Sequence, residues 1–167
     1  MGVSEAAGTV IRSAVEADLD VLAHLWLDGW HDAHAALLPE LRRWRTFESF
    51  RGRLRQALAD VRVAERDGTV AGFTLLKGDE LDQFYVSAPA RGSDVAPALM
   101  ADALARLGAA GFATAWLACA IGNVRAARFY EKAGWRFAGV MTSRLPTPEG
   151  PFSLEVWRYE IDLDPAR

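Results

Sequence analysis

Apolar residues between positions 18 and 30 recur every three or four residues: Leu19, Leu22, Ala23, Trp26, Leu27 and Trp30. That spacing predicts a helix with one buried stripe. A second helix is expected over 46–58, with Phe47, Phe50, Leu54 and Leu58 on one side. Its other side carries Arg51, Arg53 and Arg55, which read as a solvated face. Between the two, 31–38 reads as a helix end or a loop closed by Pro39. Further on the period drops to two. Residues 61–65 alternate, meet the turn Arg66-Asp67-Gly68-Thr69, and return over 70–77 as a hairpin. Gly78-Asp79 turns the chain again into a third strand, 80–87. Upstream, Val10-Ile11-Arg12 suggests a short first strand after a loose terminus, 1–8. Downstream the pattern predicts a helix near 95–108, a buried strand over 113–120 and a short helix over 124–133. Two last strands follow, 135–144 and 153–162, joined by a stiff loop with Pro146, Pro148, Gly150 and Pro151.

The resulting order is β-α-α-β-β-β-α-β-α-β-β. A meander followed by a strand–helix–strand crossover implies an α/β fold with a mixed central sheet and helices on both faces. With no repeats, low-complexity tracts or linkers, 1–167 reads as a single domain, and 167 residues suffice for a core. A net charge of −3 leaves no excess of cations for phosphates, which argues against nucleic-acid or anionic-membrane partners. The longest apolar run, about 112–121, is too short to span a bilayer, and the first ten residues lack a signal-peptide pattern. The single Cys119 rules out an intrachain disulfide and fits a reducing cytoplasm. Its apolar surroundings in sequence read as those of a buried, inert thiol.

Candidate chemistry lies in three places. Residues 123–135 place Asn123, Ala126, Phe129 and Tyr130 on one face of a short helix, with Gly134 where a helix stop is expected. A phenol on a helix opening beside a strand end is a candidate proton donor to a leaving group, although the same spacing also describes a plain core face. Secondly, Phe84-Tyr85-Val86 ends a strand and is followed by Arg91-Gly92-Ser93-Asp94-Val95-Ala96, a turn into a helix whose free N–H groups can hold phosphate. Thirdly, His31 and His34, with His24 upstream, lack the companion ligands of a metal motif, so no metal is expected.

The stretch 123–135 resembles the motif Asn-x-x-Ala-x-x-Phe-Tyr-x-x-x-Gly-aromatic of the GNAT N-acetyltransferase superfamily, and the predicted order of elements resembles that fold along nearly the whole chain. The resemblance implies a cytoplasmic enzyme moving an acetyl group from acetyl-CoA to the amine of a small molecule or a peptide N-terminus. It implies that the backbone of Phe84, Tyr85 and Val86 pairs with the pantetheine arm and that Val86 N–H polarises the thioester. Tyr130 would then protonate the thiolate, and Asn123 would orient the arm or the helix start. Glu80 and Asp82, sharing one face of the strand before the loop, are candidate bases, with a solvated strand edge as the plain alternative. Trp30-His31-Asp32-Ala33-His34 is similar to a segment beside the acceptor pocket in bacterial members, with His34 where Tyr is usual. It makes Trp30, His31 and His34 candidates to touch substrate. A strand edge at 153–162 leaves room for a homodimer.

One departure stands out. The family's pyrophosphate loop reads (Gln/Arg)-x-x-Gly-x-(Gly/Ala); Arg91 and Ala96 match its ends, but its inner Gly is Asp94. A carboxylate about 6 Å from a phosphate costs roughly 1–3 kcal/mol per charge pair at intermediate dielectric. Asp94 could also cap the helix and compete for its N–H groups, and Pro97 removes one donor. The loop therefore either tolerates an Asp94 turned to solvent or has lost phosphate, which would leave a catalytically weakened GNAT-fold binding or regulatory module.

Overall fold

A computed structural model describes residues 8–164. Strand β1 (Thr9–Ser13) leads into helix α1 (Leu19–His34) and, after a 3-10 segment at Pro39–Trp44, into α2 (Phe47–Gln56). Strands β2 (Val61–Arg66), β3 (Thr69–Lys77) and β4 (Glu80–Val86) form the meander. Helix α3 (Val95–Ala109), strand β5 (Thr114–Ala120) and helix α4 (Val124–Lys132) follow, and β6 (Arg136–Leu145) and β7 (Phe152–Asp162) end the fold. The sheet order is β1-β2-β3-β4-β5-β7-β6, with β4 and β5 parallel and the other neighbours antiparallel. The expected α/β architecture with a mixed sheet is what the chain adopts.

Each face of the sheet has its own core. Trp26, Leu22, Phe50 and Leu54 of α1 and α2 pack on Val61, Val63 and Phe73, all essentially buried. The opposite face buries Leu107 of α3 and Ala127 of α4 with Leu117 and Trp135, and Leu99 of α3 with Ala64 and Ala71. Full burial of each large side chain contributes about 1.5–3 kcal/mol. Thr46 caps α2 by accepting the Ser49 N–H at 3.2 Å. Gly134 ends α4 at φ +101°, a backbone region that an L side chain rarely adopts, and the Trp135 N–H returns to Tyr130 O at 3.0 Å.

The helix end expected within 31–38 falls at His34. Three expectations need correction, and one lies out of reach. Arg53 is not on a solvated face: its Cζ lies 4.6 Å from the centroid of the Trp26 ring. The 153–162 strand is not an edge strand, since β7 lies between β5, which it pairs from Val156 on, and β6; the outer strands of the sheet are β1 and β6. Glu80 and Asp82 are not two members of one regular alternation. Leu75 pairs with Gln83 while Leu76 pairs with Leu81, so Asp82 is an extra residue in a β-bulge. The loose terminus expected over 1–8 falls almost entirely outside the described residues.

Candidate active site

Strands β4 and β5 begin side by side and then part. They pair at Glu80↔Trp116, where the Trp116 N–H donates to Asp79 O at 3.2 Å. Beyond that point β4 stays with β3 up to Gly72↔Val86, and β5 stays with β7 up to Ala120↔Val156. The parting leaves backbone groups of β4 facing a cleft. The Ser87 N–H donates to Ala71 O of β3 at 2.8 Å, so strand alternation turns the N–H groups of Val86 and Phe84 the other way, toward the cleft. Helix α3 starts just after β4 and α4 just after β5, which sets two helix N-termini around the opening. The resulting cavity of about 400 Å³ is lined by all of β4, by Arg91, Gly92 and Ala96 of the loop, and by Asn123, Ala126 and Tyr130 of α4.

The loop into α3 keeps its donors. Among the described residues, the N–H groups of Gly92, Asp94 and Ala96 have no backbone or side-chain acceptor. Asp94 does not cap the helix with its side chain. Its carboxylate instead accepts from Thr9 Oγ1 at 2.9 Å and pairs with Arg66 of β2, and it does not line the cavity. The Ser93 hydroxyl takes the local role, accepting from Val95 N–H at 3.2 Å, while the Val95 side chain is core. Arg91 reaches across to Asp32 of α1 at 3.1 Å. Asn123 is the N-cap of α4, its side chain accepting the Ala126 N–H at 3.3 Å.

Tyr130 lies within the cavity wall beside Phe84, with ring centroids 6.4 Å apart. Burial lifts its phenol well above the usual range, so it stays a neutral O–H donor. Cys119, in the same wall, is buried, and its thiol is pushed up to about 11 by that burial. Glu80, at the base of the parting strands, is raised to about 7, first by burial and then by the neighbouring charge of Asp82.

The far side of the cavity lies against α1 and α2. Gly29 matters here because a Cβ at that position would sit 2.5 Å from Cδ1 of Tyr85; its absence lets the Tyr85 ring lie flat on α1. The Tyr85 hydroxyl is 3.4 Å from Nδ1 of His34, and burial lowers the imidazole to about 4, so His34 is neutral at physiological pH. Trp30 and His34 line the cavity; His31 does not, and instead borders a shallow depression with Pro39, Arg42 and Arg43. Two cavity residues, Arg45 and Arg53, did not stand out in the sequence. Arg53 falls three residues after Phe50 and one before Leu54, beside the apolar stripe, and that spacing was the available signal. Arg45, in the link before α2, has no such signal.

Two parted parallel strands, a helix start with spare donors and a buried phenol thus meet in one cavity. A family model described as Acetyltransferase (GNAT) family matches residues 19–135, and the chain belongs to that family. Over 88 residues it is 36% identical to an uncharacterized N-acetyltransferase of Mycobacterium tuberculosis, a match covering 50% of this chain and 56% of that protein. Thus the chain spans little more than half the length of that relative. Among solved structures, a GCN5-related N-acetyltransferase of Rhodopseudomonas palustris superposes with a TM-score of 0.73 at 21% identity, over 92% of this chain and 95% of that one. The PaiA N-acetyltransferase of Thermoplasma acidophilum, solved with coenzyme A, superposes with a TM-score of 0.65 at 18% identity, over 92% and 98% of the two chains. At these identities the likeness is one of fold.

Proposed function

We propose that the protein transfers the acetyl group of acetyl-CoA directly to a primary amine of a small molecule or a peptide N-terminus. The observation that carries the reading is the cleft between β4 and β5, open past Glu80↔Trp116 and walled by Tyr130. The β4 edge offers the N–H groups of Phe84 and Val86 to an extended arm, and the start of α3 offers Gly92, Asp94 and Ala96 to phosphate. Glu80 takes a proton from the incoming ammonium, and the freed nitrogen forms the new C–N bond. The Val86 N–H faces the oxygen as negative charge builds on it. As the C–S bond breaks, its electron pair goes to sulfur, Tyr130 supplies the proton, and the second proton lost by the nitrogen returns to the phenolate.

The assay is thiol release from acetyl-CoA over a panel of amines. Acceptor-dependent release is expected, whereas no turnover with any amine at millimolar concentration would defeat the reading.

Asp94 and Pro97 motivate the second reading, a binding module without catalysis. The tie from Asp94 to Arg66 and Thr9 takes most of the force from it, because the carboxylate is neutralised away from the loop donors. Asp94→Ala is accordingly expected to change the Kd for CoA by less than about threefold, well under 1 kcal/mol. A tenfold tightening in calorimetry would mean that the carboxylate does repel the phosphates.

A further inference from the structure

Arginines at protein surfaces ordinarily find an acid, and several here do. Arg12 holds Asp18 and Glu65, Arg62 holds Asp102, and Arg66 holds Asp94. Arg45 and Arg53 differ. Both line the cavity of the candidate site, and among the described residues neither has a carboxylate within ion-pair distance. Arg45 is only 5% exposed, and among the described residues its guanidinium makes one hydrogen bond, a long one, 3.4 Å from Nη1 to the carbonyl of Pro146. Arg53 lies over the face of Trp26, which is itself stacked on Phe50 with centroids 4.4 Å apart. That contact orients its guanidinium but leaves its N–H groups free. A cation taken out of water without a partner is costly. Two of them in one cavity, where burial first and the charge of Arg53 next lower the affinity of Arg45 for its proton, are explained if something arrives to neutralise them.

We propose that the acceptor is an amine that also carries a carboxylate, of the free amino acid class with an apolar body, and that Arg45 and Arg53 hold that carboxylate. The proposal rests on the acetyl-transfer reading and names its substrate. The guanidinium fork matches a carboxylate in a bidentate way, and two forks fix both its position and its plane. Trp26, Leu38, Leu41, Phe50, Leu145 and Leu154, which pack in one cluster, give the cavity an apolar lining for the body. Charge selects a monoanion. Asp82 lies within electrostatic reach of Arg53 and Glu80 within reach of Asp82, so a dianionic phosphate would meet acids that a single carboxylate largely avoids. The amine of such a molecule is left to point toward Glu80 and the parted strands, where the thioester belongs.

The test compares acceptors of one body that differ at one group: phenylalanine, phenylalaninamide and phenethylamine, the same series built on leucine, and phosphoethanolamine. With the wild-type protein, kcat/KM is expected to favour the acids over the amides and bare amines by about 100-fold, the size of loss usual when a buried charge pair is denied one partner. In Arg53→Gln that ratio is expected to fall below about fivefold, and Arg45→Met provides the second variant should the first not fold. Equal use of acids and amides, a preference that survives in both variants, or a preference for phosphoethanolamine would overturn the proposal while leaving acetyl transfer standing. If no acceptor turns over, calorimetry of phenylalanine and leucine on the CoA-loaded protein still decides. Binding weakened tenfold or more by Arg53→Gln supports the carboxylate site even as the catalytic reading fails; binding that is absent or indifferent to both arginines overturns it.

Discussion

Tyr130→Phe is expected to lower kcat by about two orders of magnitude while the Kd for CoA moves by less than about threefold. The substitution removes one oxygen and keeps the ring, so the packing of Tyr130 against Phe84, Phe129 and Trp135 survives. What is lost is a proton. A buried phenol whose affinity for protons is raised by desolvation stays protonated at every working pH. Its raised affinity would make it a poor acid toward a thiolate in water, but the thiolate does not leave into water. Cys119 gauges the same wall: its thiol is pushed up to about 11 by burial. A thiolate released there is a correspondingly stronger base, and a neutral donor beside it becomes effective. Steady-state kinetics with calorimetry on the same variant check this. A kcat within threefold of wild type would remove Tyr130 from the acid role, and a large loss of CoA affinity would make it a binding residue.

The second expected result concerns Glu80. Its carboxyl is raised to about 7, chiefly by burial, so it is neutral below that pH and able to accept a proton above it. The logarithm of kcat/KM is therefore expected to rise with unit slope up to about pH 7. In Glu80→Gln that limb should disappear, and the rate at pH 7.5 should drop by about 100-fold. What remains should climb toward the pKa of the free amine, near 10.4 for an alkylammonium. Stability carries the opposite sign. The fold favours the neutral carboxyl, so Glu80 supports the folded state fully below its unfolded value near 4.5 and that support is lost as pH rises to about 7. Denaturation of wild type and Glu80→Gln at pH 5 and pH 8 should show the variant gaining relative stability at the higher pH. An unchanged pH–rate profile in the variant would pass the base role elsewhere, with Asp82 as the next group to replace.

The structure brings together residues far apart in sequence in ways of unequal legibility. Local chemistry was readable: the Asn123 cap, the Gly134 stop, the strand leading into Arg91 and the periods of all four helices are written within about ten residues of one another. The bulge at Asp82 was not, because the register of β4 is set by its partner β3, and nothing in Glu80-Leu81-Asp82-Gln83 marks the extra residue. His31 and His34 look equivalent in sequence and sit only about 60° apart around the helix, yet the packing at the end of α1 puts one in the cavity and the other at a separate surface. Asp94 looked like a defect in an anion site until its partner, Arg66 on β2, came into view.

By itself, then, the amino-acid order of this protein determined which segments become helices and strands, how they alternate, and that the chain is a GNAT acetyltransferase family member. Periodicity and capping act over one or two turns of chain, and such short-range preferences can be read one segment at a time. Only tertiary packing decided where β4 leaves β5, which charges find partners, and that Arg45 and Arg53 face a cavity without one among the described residues. Those outcomes depend on desolvation and on neighbours tens of residues away, and no local pattern records the distance between them.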